Sequence, residues 1–151
     1  MNEFSLDDNY FMREALKEAK NALLAGEIPI GAVVVCNERI IARAHNMTEL
    51  LNDVTAHAEM QAITAASNFL GSKYLNDCTL FVTVEPCVMC AGAMFWTQLK
   101  RIVYGAADEK RGYSTTGVSL FHPKTILTTG IMENECSQMM KAFFSDKRGK
   151  S

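Results

Sequence analysis

The chain has 151 residues, with hydrophobic residues at 48%, charged residues at 21% and a formal net charge of −2. This balance fits one globular domain over residues 1–151 and excludes disordered, fibrous and collagen-like classes. The acidic sum lacks the bulk basic footprint of a nucleic-acid binder, although Lys100-Arg101, Lys110-Arg111 and the terminal Lys147, Arg148 and Lys150 cluster locally.

Ser5, with Asp8 three residues on, has the form of a capping box, and Phe11, Ala15, Ala19, Ala22 and Leu23 recur at helical spacing from Asp8 to Ala25. Gly26 stops that helix. IGAVVVC and RIIARAH flank Asn37-Glu38 and read as a β-hairpin. AEMQAITAASNFL is a second helix ending at Gly71, and CTLFVTV is a strand. CVMCAGAMFWTQL, behind Pro86, predicts a third helix with proline in its first turn. RIVYGA and TILTTG predict two more strands. Between them, the irregular stretch from Asp108 to Lys124 is long for a connection, a length more often found in functional loops. Glu133 to Lys147 closes the chain as a helix with Cys136, Met139, Met140, Phe143 and Phe144 on one stripe. Strands alternating with helices after a hairpin imply an α/β layered fold whose sheet mixes antiparallel and parallel pairs.

No apolar run is long enough to cross a bilayer, and the opening MNEFSLDDNY is acidic where a secretory signal is basic and then apolar. Five cysteines are an odd number for a disulfide framework. The expected compartment is the cytoplasm, with no membrane partner.

Two of those cysteines, Cys87 and Cys90, stand in TVEPCVMCAGAM at a spacing that a redox pair, a structural zinc site or a catalytic metal site can all use. A redox pair leaves His57 and Glu59 in TAHAEMQAI unexplained. His57 stands at the start of the second predicted helix, and Cys87 and Cys90 open the third, so all three can converge beside one sheet edge with both helix dipoles favouring thiolate. Two thiolates and one imidazole balance Zn²⁺ and leave its fourth position open to water, which marks catalysis. A structural site needs a fourth ligand from Cys36, Cys78, Cys136, His45, His122 or a carboxylate, and none of these is paired at ligand spacing. Cys36, Cys78 and Cys136 lie in or beside apolar runs and read as core residues, and the two histidines as surface or hydrogen-bonding residues. Glu59 follows His57 by two positions, which does not put both on one helical face, so it is cast as a proton carrier and not a ligand.

HAE at residues 57 to 59 with PCVMC at 86 to 90 resembles the zinc-dependent nucleoside and nucleobase deaminases. IPIGAVVV, TAHAEMQAI, TVEPCVMCAGAM, RIVYGAADEKRG and the late FF extend the resemblance over nearly the whole chain to the bacterial tRNA-specific adenosine deaminase family. It implies a three-layer α/β/α cytidine-deaminase-like fold with a mixed sheet, a homodimer, and hydrolytic deamination of a tRNA wobble adenosine to inosine. By the same resemblance His57, Cys87 and Cys90 hold one zinc per chain, with Glu59 as proton shuttle for the metal-activated water. Asn46 then hydrogen-bonds the base, the Ala58 backbone amide assists, Ile28 packs against it, and Asp108 approaches the sugar. Without the resemblance Asn46 reads as a turn residue and Asp108 as a loop solvator. One segment departs: RGYSTTGVS stands where the family commonly has a small-residue stretch like TGAAGS.

Two other readings stand beside this one. A deaminase of free guanine, cytosine or a nucleoside needs the same metal and the same Glu59, whereas a zinc-stabilised binding module has little use for that carboxylate. Phe143-Phe144 followed by Lys147, Arg148 and Lys150 favours RNA, as an aromatic anchor and then cations: Phe144, Lys147 and Arg148 are the expected tRNA contacts. The alternative there is a core-packing phenylalanine pair with a solvated end. Met94, Phe95 and Trp96 together exceed what one helix face can hide and mark the expected dimer surface.

Overall fold

A computed structural model describes residues 6–149, with side chains described through Asp146. The first helix, α1 (Asp8–Leu24), starts at Asp7, whose carboxylate accepts a hydrogen bond from the Tyr10 amide at 2.9 Å. An Asp7 cap thus opens the helix, while the capping role expected of Ser5 lies outside the described residues. β1 (Gly31–Cys36) and β2 (Arg39–His45) form the expected hairpin. Its two turn residues, Asn37 (φ 52°) and Glu38 (φ 62°), are both left-handed, as a tight turn matching strand twist requires.

Next come α2 (Ala58–Leu70), β3 (Cys78–Val84), α3 (Val88–Thr97), β4 (Arg101–Ala106), β5 (Ile126–Thr129) and α4 (Glu133–Gly149). Gly71 caps α2 in the left-handed conformation expected of it, at φ 65°. Pro86 is a correction: Cys87 is the N-cap of α3, so the proline lies one residue outside the helix, not in its first turn. It turns the chain between β3 and α3 without removing a helical donor. The loop between β4 and β5 contains a single 3₁₀ turn, Tyr113–Thr116.

The five strands lie in the order β2-β1-β3-β4-β5. β1 is antiparallel to both β2 and β3, while β3, β4 and β5 are parallel, because the hairpin reverses the chain and the α3 crossover restores its direction. Side-chain alternation sorts the core into two layers. Ala32, Val34, Leu80, Val82 and Ile102 face Ala58, Ala62 and Ala66 of α2 and Ala91 and Met94 of α3. Val33, Val35, Phe81 and Val103 face Phe11, Met12 and Ala15 of α1 and Cys136 of α4. β1 is therefore buried on both faces and reads as a continuous apolar run. Phe81 is 2% exposed, with its ring 5.3 Å from that of Phe11, so Phe81→Ala is expected to cost about 3–5 kcal/mol.

Packing corrects two further expectations. The α4 stripe splits: Cys136 and Phe143 are buried, Met139 and Met140 are half-buried, and Phe144 is 37% exposed. Cys136 sets how closely α4 approaches β4, since a Cβ on Gly105 would stand 2.4 Å from its sulfur. On α3, Met94 is fully buried in the core, and of the expected apolar trio only Trp96, at 75%, is widely exposed. Of the basic clusters, Arg101 is structural: its guanidinium grips the Asp8 carboxylate with two nitrogens and ties β4 to the start of α1.

Candidate active site

Ligands in open α/β sheets collect outside the carboxyl ends of the strands, and here β3 and β4 end beside the entrance to β1 and the exit of β2. A cleft of ≈ 890 Å³ opens there. Its walls include Ile28 before β1, Asn46 after β2, Val84 and Glu85 at the end of β3, and Asp108 after β4. His57, Ala58, Glu59 and Cys87 also line it, and α4 contributes Met140, Lys141 and Phe144.

His57 is the N-cap of α2 and Cys87 the N-cap of α3, yet neither side chain caps its own helix. They turn toward each other instead. The Cys87 and Cys90 sulfurs lie 3.6 and 3.5 Å from His57 Nδ1. Among the described residues, these three form the one group of potential metal ligands, all ligand atoms lying within 4.8 Å of one another. Zinc bonds of about 2.1 Å to nitrogen and about 2.3 Å to sulfur, at the tetrahedral angle, place N and S about 3.6 Å apart, so the donor set fits a tetrahedral ion. An ion held by these three donors would have a fourth position left for water, unlike one in a closed structural site.

Charge at the site follows from its position. A hydrogen bond from the Cys90 thiol, and then the His57 ring, hold the Cys87 thiol down to about 4, so Cys87 is a thiolate and Cys90, beside it, is driven upward. His57 is raised chiefly by its hydrogen bond to Cys87. Glu59, in the first turn of α2, is 4% exposed, and burial raises its carboxyl to about 7. A carboxyl so placed exchanges protons in both directions near neutral pH. The Ala58 amide is one of the first-turn donors of α2 that no helical carbonyl can reach.

The residues assigned to substrate are brought to the same cleft, with their plainer roles also visible. Asn46 is 5% exposed, and its Oδ1 accepts from the Thr48 amide at 3.4 Å, a turn contact. Asp108 accepts from the amides of Lys110 and Arg111 at 3.1 and 3.0 Å, which shapes its loop while it lines the cleft. Phe144 reaches the rim, and the side chains of Lys147 and Arg148 lie outside what is described. His45 and His122 are hydrogen-bonding residues, to the Asn46 carbonyl and from the Lys124 amide. Sequence reasoning missed Glu85, Thr48, Ser137 and Lys141, which also line the cleft. A glutamate at the end of an apolar strand, as in TVEPC, was the available signal for Glu85.

A triad of potential metal ligands and a buried acid at two helix starts on a five-stranded mixed sheet define an enzyme of the cytidine-deaminase-like fold that catalyses deamination. A family profile described as MafB19-like deaminase matches residues 6–148. The tRNA-specific adenosine deaminase of Bacillus subtilis strain 168 is 46% identical over 148 residues, covering 95% of this chain and 92% of that protein. A solved structure from a study of A-to-I editing by tRNA:A34 deaminases at the wobble position of transfer RNA is 41% identical with a TM-score of 0.80, covering 86% of this chain and 98% of that one. Guanine deaminase from Bacillus subtilis aligns less well, with a TM-score of 0.66 at 36% identity over 76% of this chain and 71% of that one. The chain belongs to the MafB19-like deaminase family, among the tRNA-specific adenosine deaminases.

Proposed function

We propose that this enzyme converts adenosine to inosine at the wobble position of a tRNA anticodon, and that one domain over residues 1–151 carries the activity. The observation that carries the substrate reading is the shape of the site: the reactive floor opens into a wide cleft whose rim bears Lys110, Arg111, Lys141 and Phe144. A flipped-out nucleotide needs an open mouth, with cations for its phosphates and a ring to stack on, whereas a small free base calls for enclosure.

His57, Cys87 and Cys90 would hold zinc, which supplies Lewis acidity that makes water a nucleophile at neutral pH. Glu59 takes a proton from the attacking water and delivers it to the ring nitrogen as a C–O bond forms at C6. It then carries the second water proton to the exocyclic amine, so the C–N bond breaks and ammonia leaves. Asn46 and the Ala58 amide orient the base, Ile28 packs on it, and Asp108 meets the sugar. Phe144, Lys147 and Arg148 extend the contact along the RNA. Phe95 and Trp96, with Val88 at 49% exposure on the same helix, form the surface for a second copy of the chain. No helix among the described residues is long and apolar enough to cross a membrane, and the proposed place of action is the cytoplasm.

The test incubates zinc-loaded protein with unmodified tRNA and, separately, with free guanine, cytosine and adenosine. Inosine at the anticodon wobble position is the expected result. Ammonia from a free base, with no inosine in tRNA, contradicts the proposal.

A further inference from the structure

Two buried acids beside the cleft take no part in the chemistry above. Glu27 is 1% exposed and Glu85 is 5% exposed, and among the described residues neither forms an ion pair. A carboxylate taken from water without a cation is costly unless hydrogen bonds occupy its oxygens. Both acids meet that requirement in the same way. Glu85 Oε1 accepts from the Asp108 amide at 3.1 Å and Oε2 from the Ser114 amide at 3.0 Å. Glu27 Oε1 accepts from the Glu49 amide at 3.0 Å and Oε2 from the Leu50 amide at 2.8 Å.

Each acid thereby grips one loop that lines the cleft. The Glu27 loop carries Asn46 and Thr48 and leads into His57, and the Glu85 loop carries Asp108, Lys110 and Arg111. Gly112 shows how closely the second loop wraps its acid, because a Cβ there would stand 2.1 Å from Glu85 Oε2. The same loop is stitched to the segment before α3 by the Tyr113 amide, which donates to the Pro86 carbonyl at 2.9 Å, and by a β-bridge between Cys87 and Gly112. We propose that Glu27 and Glu85 are positioning residues for substrate binding, each presenting two acceptor oxygens to backbone amides so that Asn46 and Asp108 are in place before the nucleotide arrives.

The choice of substrate rests on the function proposed above; the positioning role does not. Glutamine keeps the volume of either side chain but offers one acceptor and turns an NH₂ toward a backbone N–H. In zinc-loaded Glu85→Gln, amide exchange is expected to quicken at Asp108 and Ser114, and in Glu27→Gln at Glu49 and Leu50. On an anticodon stem-loop RNA, each variant is expected to raise KM about 10-fold with kcat within about 3-fold, as loss of preorganised binding requires. Gly112→Ala, whose Cβ would crowd both the Glu85 carboxylate at 2.1 Å and the Asp108 carbonyl at 2.6 Å, is expected to raise KM at least as much as Glu85→Gln. Unchanged exchange and KM in the glutamine variants overturn the proposal, as does a fall in kcat that tracks loss of metal. If the wild type deaminates only a free base, the RNA reading fails, and KM for that base together with the exchange rates then decides the positioning role.

Discussion

The floor of the cleft and its rim are built by different means. The floor is held by regular structure: His57 and Cys87 occupy the N-cap positions of two helices, Cys90 and Glu59 sit in their first turns, and the sheet beneath fixes both helices. Apart from Lys141 and Phe144 on α4, the rim is held by loops, whose backbone amides are gathered by buried side chains from distant parts of the chain, such as Glu27 and Glu85. A floor of this kind can be preserved while the rim changes, which is how one deamination chemistry can serve substrates of very different size.

The division can be broken most forcefully at the metal ligands. Cys87→Ser is expected to lose the metal and, with it, all measurable deamination. Because a metal held by His57, Cys87 and Cys90 would join two helix starts, the thermal midpoint should fall as well. Elemental analysis of purified protein alongside a melting curve checks both, and full metal content in the variant would remove Cys87 from the ligand set. Glu59→Ala should keep metal and fold while losing at least ~10²-fold in rate, the lower range for removing a positioned acid/base. Metal loss in that variant would make Glu59 a ligand.

At the rim the expected effects are smaller and of a different kind. Lys110→Ala and Arg111→Ala should each weaken RNA binding and reduce the slope of log affinity against log salt by about 1, if each side chain neutralises one phosphate. Titrations at several salt concentrations measure this, and a slope equal to wild type excludes phosphate contact.

Smallest of all is an effect remote from the cleft. Lys17 and then Arg43 hold the Glu14 carboxyl below its ordinary value of 4.5. A depressed folded value means that the stability it contributes is present above about pH 4.5 and is lost as pH falls through the folded value. Lys17 and Arg43 are 69% and 43% exposed, so solvent screening limits the gain to under about 1 kcal/mol. Wild type should exceed Glu14→Gln in stability at pH 7, with the gap closing in acid; a gap that widens there would reverse the sign.

What could be read from the sequence follows the same line between floor and rim. The hairpin, α2 with its Gly71 stop and the strands β3 and β4 carry their signals within a few residues, in Asn37-Glu38, in alternation and in apolar runs, and the structure keeps them. His57, Glu59, Cys87 and Cys90 were legible for a related reason: each is fixed by its offset from a helix start. Pro86 fell one residue outside its helix because a residue before a helix and one in its first turn leave nearly the same local pattern. Met94 was drawn to the surface by counting apolar residues on a helix, and Phe143 by the cations that follow it, but burial depends on which face the sheet covers. Glu27 and Glu85 were invisible as loop anchors, since their partners at 49, 50, 108 and 114 lie more than 20 residues away and are backbone amides that any residue supplies.

Steady-state kinetics of Glu59→Ala beside the double variant Lys110→Ala/Arg111→Ala, on one anticodon stem-loop RNA, test the separation of floor from rim most directly. Glu59→Ala should lose kcat by at least ~10²-fold at nearly unchanged KM, and the rim variant should raise KM at nearly unchanged kcat. A common fall in kcat in both proteins, with KM steady, would contradict the assignment of chemistry to the floor and of RNA binding to the rim.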